Sequence, residues 1–313
     1  FLALGGPHAV THTWDGFKSP KANVRVVTGD VQSHLSVLSG EGRYQFWTAA
    51  LHAFTSHPLG GIGAGTFQFW WAAHGSIYAA VINAHSLYME TLAETGLPGI
   101  LLLAVLLLGG LAAMVSRWRG APSRERALLA AILGGCAAFL VSAAFDWVWQ
   151  IPALPAVLLL LIAAGTGNIL KRPGKAKSFS PTTRMRAVWT ALALVGALVI
   201  IVPMVSAVSV RESQAQASAQ RLAPALKDAR TASSWQPYAA TPLLQQALVM
   251  ERAGNFSAAA VKARKAARAA STDWSTWLVL SRIEAEHGDA RGAVAAYRHA
   301  RSLDPRDPIF KSK

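Results

Sequence analysis

The chain holds a single cysteine, Cys136, among its 313 residues. That excludes an intrachain disulfide and any zinc site built from cysteine pairs. Charge is also scarce: Asp, Glu, Lys and Arg together make up 15% of the sequence, with 16 acidic against 30 basic residues. The opening Phe1-Leu2-Ala3-Leu4 lacks the basic segment and cleavage site of a signal peptide; it is more like the stump of an earlier helix, so we expect the C-terminal portion of a longer polytopic protein. What the chain does have is apolar sequence, 52% of residues, gathered in uninterrupted blocks that a water-soluble globule of this length would not carry. Four blocks, 97–116, 127–144, 154–170 and 187–208, are long enough to cross roughly 30 Å of hydrocarbon, the third being shortened by Pro152 and Pro155. An integral membrane protein is expected.

The net charge of +14 invites a nucleic-acid partner, but the positions of the charges argue against one. Arg117, Arg119, Arg124 and Arg126 fill the loop after the first block, and Lys171, Arg172, Lys175, Lys177, Arg184 and Arg186 fill the loop before the last. Short basic loops beside apolar spans lie on the cytoplasmic side. A nucleic-acid surface needs its basic residues interleaved with aromatics on one exposed face instead. The same assignment places 1–96, the turn 146–151 and everything after Arg211 on the outer face. Cys136, mid-span among Gly134, Gly135, Ala137 and Ala138, is a small packing residue.

Residues 11–40 are polar and rich in turn formers, an irregular outer loop with one β-favouring run at 24–27. Phe46, Trp47, Ala50, Leu51 and Phe54 then recur at helical spacing, which makes 42–55 an amphipathic helix. Ser56-His57-Pro58-Leu59-Gly60-Gly61 ends it. The aromatics Phe67, Phe69, Trp70 and Trp71 suit a headgroup interface, and His85 is expected on a helix returning to the membrane surface, about three turns before the first span. After the last span the composition shifts to Ala, Arg and Gln, and Gly254-Asn255-Phe256 aligns with Gly288-Asp289-Ala290 at an offset of 288 − 254 = 34. That is the period of the tetratricopeptide helix pair. Two pairs are few for independent stability, so 211–235 is expected to add a degenerate third. The expected fold is all-α: an outer helical loop (1–96), a transmembrane helical domain (97–209) and an outer array of tetratricopeptide-like helical repeats (210–313).

Gly61-Ile62-Gly63-Ala64-Gly65 superficially resembles a phosphate-binding loop, but the strand, the lysine and the βαβ context are missing, so a flexible turn is expected. His52, His57, His74 and His85 offer no His-x-x-x-His pair on one helix face, and no metal or other cofactor is expected. His85 is an ionisable group at the membrane edge, where desolvation is costly unless the group has a task. An imidazole supplies a base of near-neutral pKa without large perturbation. Arg43 opens the amphipathic helix, and its guanidinium fork fits a phosphate or diphosphate bidentately. Asp146, held at the outer end of a span between aromatic neighbours, is a candidate to line an acceptor site. Glu90 would orient His85 only if the helix bends, and Glu94 caps or solvates the helix end.

Gly42-Arg43-Tyr44-Gln45-Phe46-Trp47, the run from His57 to Phe67, Asn83-Ala84-His85-Ser86-Leu87-Tyr88-Met89-Glu90, and Glu94-Thr95-Gly96-Leu97-Pro98-Gly99 occur in an order that resembles the O-antigen ligase and polymerase superfamily of bacterial envelope glycosyltransferases. The similarity spans roughly 40–170. It implies inverting, metal-independent transfer of a glycan from an undecaprenyl-diphosphate carrier to a lipid or glycan acceptor, on the outer face of the bacterial cytoplasmic membrane. By the same resemblance Arg43 matches the arginine that binds the carrier diphosphate, and His85 the histidine essential for transfer. The family's motif often reads His-Asn where this chain has His85-Ser86, with its amide instead at Asn83, a candidate for orienting substrate. Two alternatives stand beside a ligase: a polysaccharide polymerase of the same superfamily, and a non-catalytic membrane anchor that presents the repeat array to a protein partner.

Overall fold

A computed structural model describes residues 14–19, 42–167 and 182–311; the run 24–27 and the lysines of the second basic loop lie outside them. Every regular element among the described residues is helical, as the apolar periodicity implied. The chain divides into two compact units, 1–176 and 177–313.

In the first unit a helical turn at 14–18, within the stretch expected to be irregular, precedes α1 (Arg43–Ser56), which starts after the left-handed Gly42 and ends at His57-Pro58. α2 (Phe67–His74) follows a glycine loop. α3 (Leu87–Gly120) is capped by the Ser86 hydroxyl, which accepts the Met89 N–H, and is broken at Gly96, where φ is 65° and ψ is −160°. The nine residues before that break pack against α1, and the apolar run after it is the first span. α4 (Ser123–Phe145), a 3₁₀ turn (Val148–Gln150) and α5 (Ala153–Thr166) complete the unit.

Among α3, α4 and α5 the interior is Leu107, Met114, Ile132, Leu158 and the fully buried Cys136. The helices cross at small residues. A Cβ added at Gly110 would stand 2.9 Å from Ile162. Close backbone approach at glycine is how helices associate in lipid, where apolar burial gives no drive. The outward positions Leu102, Val105 and Leu108 are exposed, as a lipid-facing surface requires.

Among the described residues three helices, α3, α4 and α6 (Thr183–Ser218), are long and apolar enough to span. The third expected block, already shortened by its prolines, forms the shorter helix α5 within the described residues. α5 has 14 residues between Pro152 and Gly167, about 21 Å of helix against a core of roughly 30 Å. Proline fixes its start and an extended glycine its end.

In the second unit, α7 (Leu222–Trp235) folds back along α6. Two α6 hydroxyls are tied to α7 carbonyls, Ser206 to Ala232 at 3.1 Å and Ser213 to Ala225 at 2.7 Å. Over 211–235, where a further degenerate pair is expected, the end of α6 and α7 thus lie side by side. Then come α8 (Ala240–Arg252), α9 (Phe256–Ala269), α10 (Trp274–His287) and α11 (Ala290–Leu303). α8 and α10 start 34 residues apart, as do α9 and α11 (274 − 240 and 290 − 256). Gly254 and Gly288 supply left-handed turns at equivalent places, and Asn255 and Asp289 cap the helices that follow. The core is mostly alanine, including Ala247, Ala259, Ala260, Ala263 and Ala267.

Candidate active site

The glycine loop is not a flexible turn. Ile62 N–H donates to Ala93 O at 2.9 Å, Gly63 N–H to Glu94 O at 3.0 Å, and Leu97 N–H returns to Pro58 O at 2.8 Å. The loop thus closes on the break in α3. A Cβ at Gly61 would stand 2.2 Å from Glu94 O, and one at Gly96 2.7 Å from Pro58 O, so both positions need glycine for space as well as for positive φ. Glu94 is buried, and its carboxylate accepts Gly65 N–H at 2.8 Å and Phe67 N–H at 3.0 Å. It neither caps nor solvates the end of its own helix. It holds the N-terminus of α2, where oriented N–H groups attract an anion, so the anion of this glycine loop is the chain's own carboxylate.

Phe67 and Trp71, expected at a headgroup interface, are core residues; the Trp71 indole donates to Ala79 O at 2.8 Å. His52, His57 and His74 ring Trp70, with His74 stacked on it at 4.0 Å between centroids. His85 stands apart from them, packed at 5.3 Å on Phe46 of α1.

His85 precedes α3 rather than lying on it. Its φ is 52°, a left-handed value unusual for a side-chain-bearing residue. Its backbone N–H donates to the Asn83 side-chain oxygen at 3.1 Å, and its ring Nδ1 is 3.2 Å from the Asn83 carbonyl. A carbonyl oxygen only accepts, so this contact is made by an Nδ1–H, which in a neutral ring leaves Nε2 as the acceptor nitrogen. Glu90 does not reach His85 by a bend in the helix. It holds the residue beside it, accepting Ala84 N–H at 2.8 Å. The buried Asn83 donates to Gln150 Oε1 at 3.1 Å, and Gln150 Nε2 donates to Glu90 Oε1 at 3.3 Å.

Arg43 is in the first turn of α1, and its Nε donates to Phe145 O at 2.8 Å. That carbonyl belongs to the last turn of α4, the negative end of its dipole, which favours a cation. Asp146 is the next residue, its carboxylate accepting the Trp147 N–H at 2.8 Å. Trp47, one turn beyond Arg43, packs on the Phe145 ring at 5.8 Å. Arg43 is also one turn from Phe46, the residue that carries His85. α1 thus brings together the helix end held by Arg43 and the turn bearing His85, while 145–151 contributes Asp146 beside the first and Gln150 beside the second.

The sequence reading missed Gln150. An uncharged amide carries no motif, and its partners are 67 and 60 residues away. The one hint is its place in the same turn as Asp146.

The first unit thus holds a loop-borne, backbone-anchored imidazole and an arginine at a helix end, beside helices long and apolar enough to cross a membrane. Residues 2–104, about a third of the chain, match the family model described as O-Antigen ligase. That is the family to which the order of the motifs pointed, and it is a glycosyltransferase-like enzyme family. No curated protein matches the chain.

Proposed function

We propose that this chain carries the outer-face half of an O-antigen ligase-like site, which transfers a glycan from undecaprenyl diphosphate to an acceptor hydroxyl with inversion and without a metal. The observation that carries the reading is the turn at His85. Its Nδ1–H is committed to a backbone carbonyl, so Nε2 is the nitrogen left to act as base. In the reaction the acceptor oxygen attacks the anomeric carbon and its proton passes to Nε2. The bond to the carrier phosphate breaks as the new one forms, and its electron pair leaves on the diphosphate. Arg43, its plane set by Phe145 O, offers fixed positive charge to that diphosphate, which strengthens as the leaving group's charge grows. Asp146, beside that arginine, lines the acceptor approach. The 34-residue helix pairs of the second unit act as a tetratricopeptide-like surface for a protein or glycan partner on the same outer face, in the cytoplasmic membrane of a bacterium.

The test is glycan transfer from a labelled lipid-diphosphate donor by the full-length protein in proteoliposomes. His85→Ala is expected to lower turnover about 10²–10⁴-fold, the scale of losing a positioned general base. Wild-type turnover in that variant at equal expression would remove His85 from the mechanism.

A further inference from the structure

We propose that Gln150 is a positioning residue of this site, holding the left-handed turn at His85 through a one-directional hydrogen-bond chain; the inference rests on His85 being the base. Every orientation in the chain is fixed by its two ends, because both are backbone N–H groups and can only donate. At one end His85 N–H takes the Asn83 side-chain oxygen, which turns the Asn83 amide nitrogen toward Gln150 Oε1. That leaves the Gln150 amide nitrogen facing Glu90 Oε1, while Glu90 Oε2 takes Ala84 N–H at the other end. Flipping either amide would set donor against donor or acceptor against acceptor at both of its contacts. The chain therefore grips the two consecutive peptides of the turn, at Ala84 and at His85, from opposite sides.

Asn83 and Glu90 belong to the same local segment as His85; Gln150 does not. It stands in the 3₁₀ turn between α4 and α5, so its amide ties the His85 turn to the outer end of the helix pair whose other contact, Phe145 O, anchors Arg43. Asn83 and Glu90 are buried whereas Gln150 is exposed, so a water in place of its amide would satisfy them without tying them to the 3₁₀ turn. A left-handed conformation at a residue with a side chain persists only where its surroundings over-determine it. Gln150 is the remote part of those surroundings.

The change that separates positioning from bulk structure is Gln150→Glu. A protonated carboxyl keeps the shape and the donor, so the chain survives. The facing carboxyls keep the link while they hold one proton between them; once both are ionised neither can donate, and like charges repel there. Transfer by the full-length protein in proteoliposomes would be followed from about pH 5 to about pH 8 for wild type, Gln150→Glu, Gln150→Leu and His85→Ala. The proposal expects Gln150→Glu to approach wild-type turnover at the acid end and to fall about tenfold below it at the alkaline end, the scale of losing an orienting partner, with KM for the donor unchanged. Gln150→Leu should lose turnover by a similar factor at every pH. Should the Gln150→Glu profile run parallel to wild type while His85→Ala is dead, the positioning role is overturned and the base assignment stands. Should His85→Ala turn over normally, the base assignment falls and the role of Gln150 with it. Loss of folded protein in both Gln150 variants, read by their thermal melts, would make the residue structural and also overturn the proposal.

Discussion

The two units bury polar side chains for opposite ends. In the second, they fasten one regular helix to the next: Ser213 and Ser206 bond α7 carbonyls, Gln246 reaches Ala229 O and the Ser233 hydroxyl, and Glu284 takes a two-pronged grip from Arg264 at 2.5 and 2.6 Å. In the first, Asn83, Glu90 and Glu94 are committed to backbone N–H groups of irregular segments. The positive-φ residues divide the same way. Gln220, Gly254 and Gly288 turn the chain between the two helices of a pair, whereas Gly61, Gly63, Gly65, His85 and Gly96 crowd into one region of the first unit. A scaffold uses its buried polar groups to join elements that would form anyway. A site uses them to hold backbone that would not otherwise stay in place.

That contrast can be broken experimentally. After His85→Ala, the largest effect is expected at Arg43→Ala, which removes both the proposed diphosphate clamp and the contact to Phe145 O. Loss of transfer of about 10²–10³-fold, with weaker donor binding, should show in the proteoliposome assay. Glu94→Ala comes next. It orphans the Gly65 and Phe67 N–H groups, a loss of about 2–6 kcal/mol at 1–3 for each unsatisfied donor, and thermal melting with limited proteolysis at 57–66 would report it.

In the second unit, Arg264→Ala leaves Glu284, whose side chain is 3% exposed, without its counter-charge. Because Arg264 is 39% exposed, the cost should be about 2–3 kcal/mol, below that of a fully buried pair. Melting should shift while turnover per folded molecule stays as it was.

The smallest effect concerns Glu251. Burial and the neighbouring Glu286 push its carboxyl up to about 7, against the opposing pull of Arg282, whose Nη1 is 3.0 Å away. A raised carboxyl pKa means that the folded form holds its proton more tightly than the unfolded one. The stabilisation is therefore present at the acid end and is lost as pH rises from about 4.5 to about 7. Glu251→Gln should flatten that decline in a melting series across pH.

Sequence pattern shows most clearly what is regular. The apolar blocks gave α3, α4 and α6, periodicity gave α1 to within a residue at each end, and the offset of 34 recurred in the helix starts of the second unit. Each of these signals is local or strictly repeated. The contacts that shape the candidate site are neither. Glu94 bonds N–H groups 27 and 29 residues upstream, and its spacing along the chain says nothing of that. Phe67 and Trp71 look like membrane-interface aromatics in composition and become core only because the glycine loop turns α2 inward. Arg43 and His85 were visible through motif order, and their setting was not. One signal was there to be used: three glycines in five residues at 61–65, with Glu90 and Glu94 the only carboxylates in 42–124 and no lysine there, suit a loop closed by an internal anion.

The most direct test of the account measures donor affinity and turnover side by side in the full-length protein carrying His85→Ala. A base that takes the acceptor's proton touches only the reacting state. The variant should therefore bind the lipid-diphosphate donor as the wild type does while its transfer collapses. Transfer at the wild-type rate, or a collapse explained wholly by lost donor binding, would contradict the claim that this anchored imidazole does the chemistry.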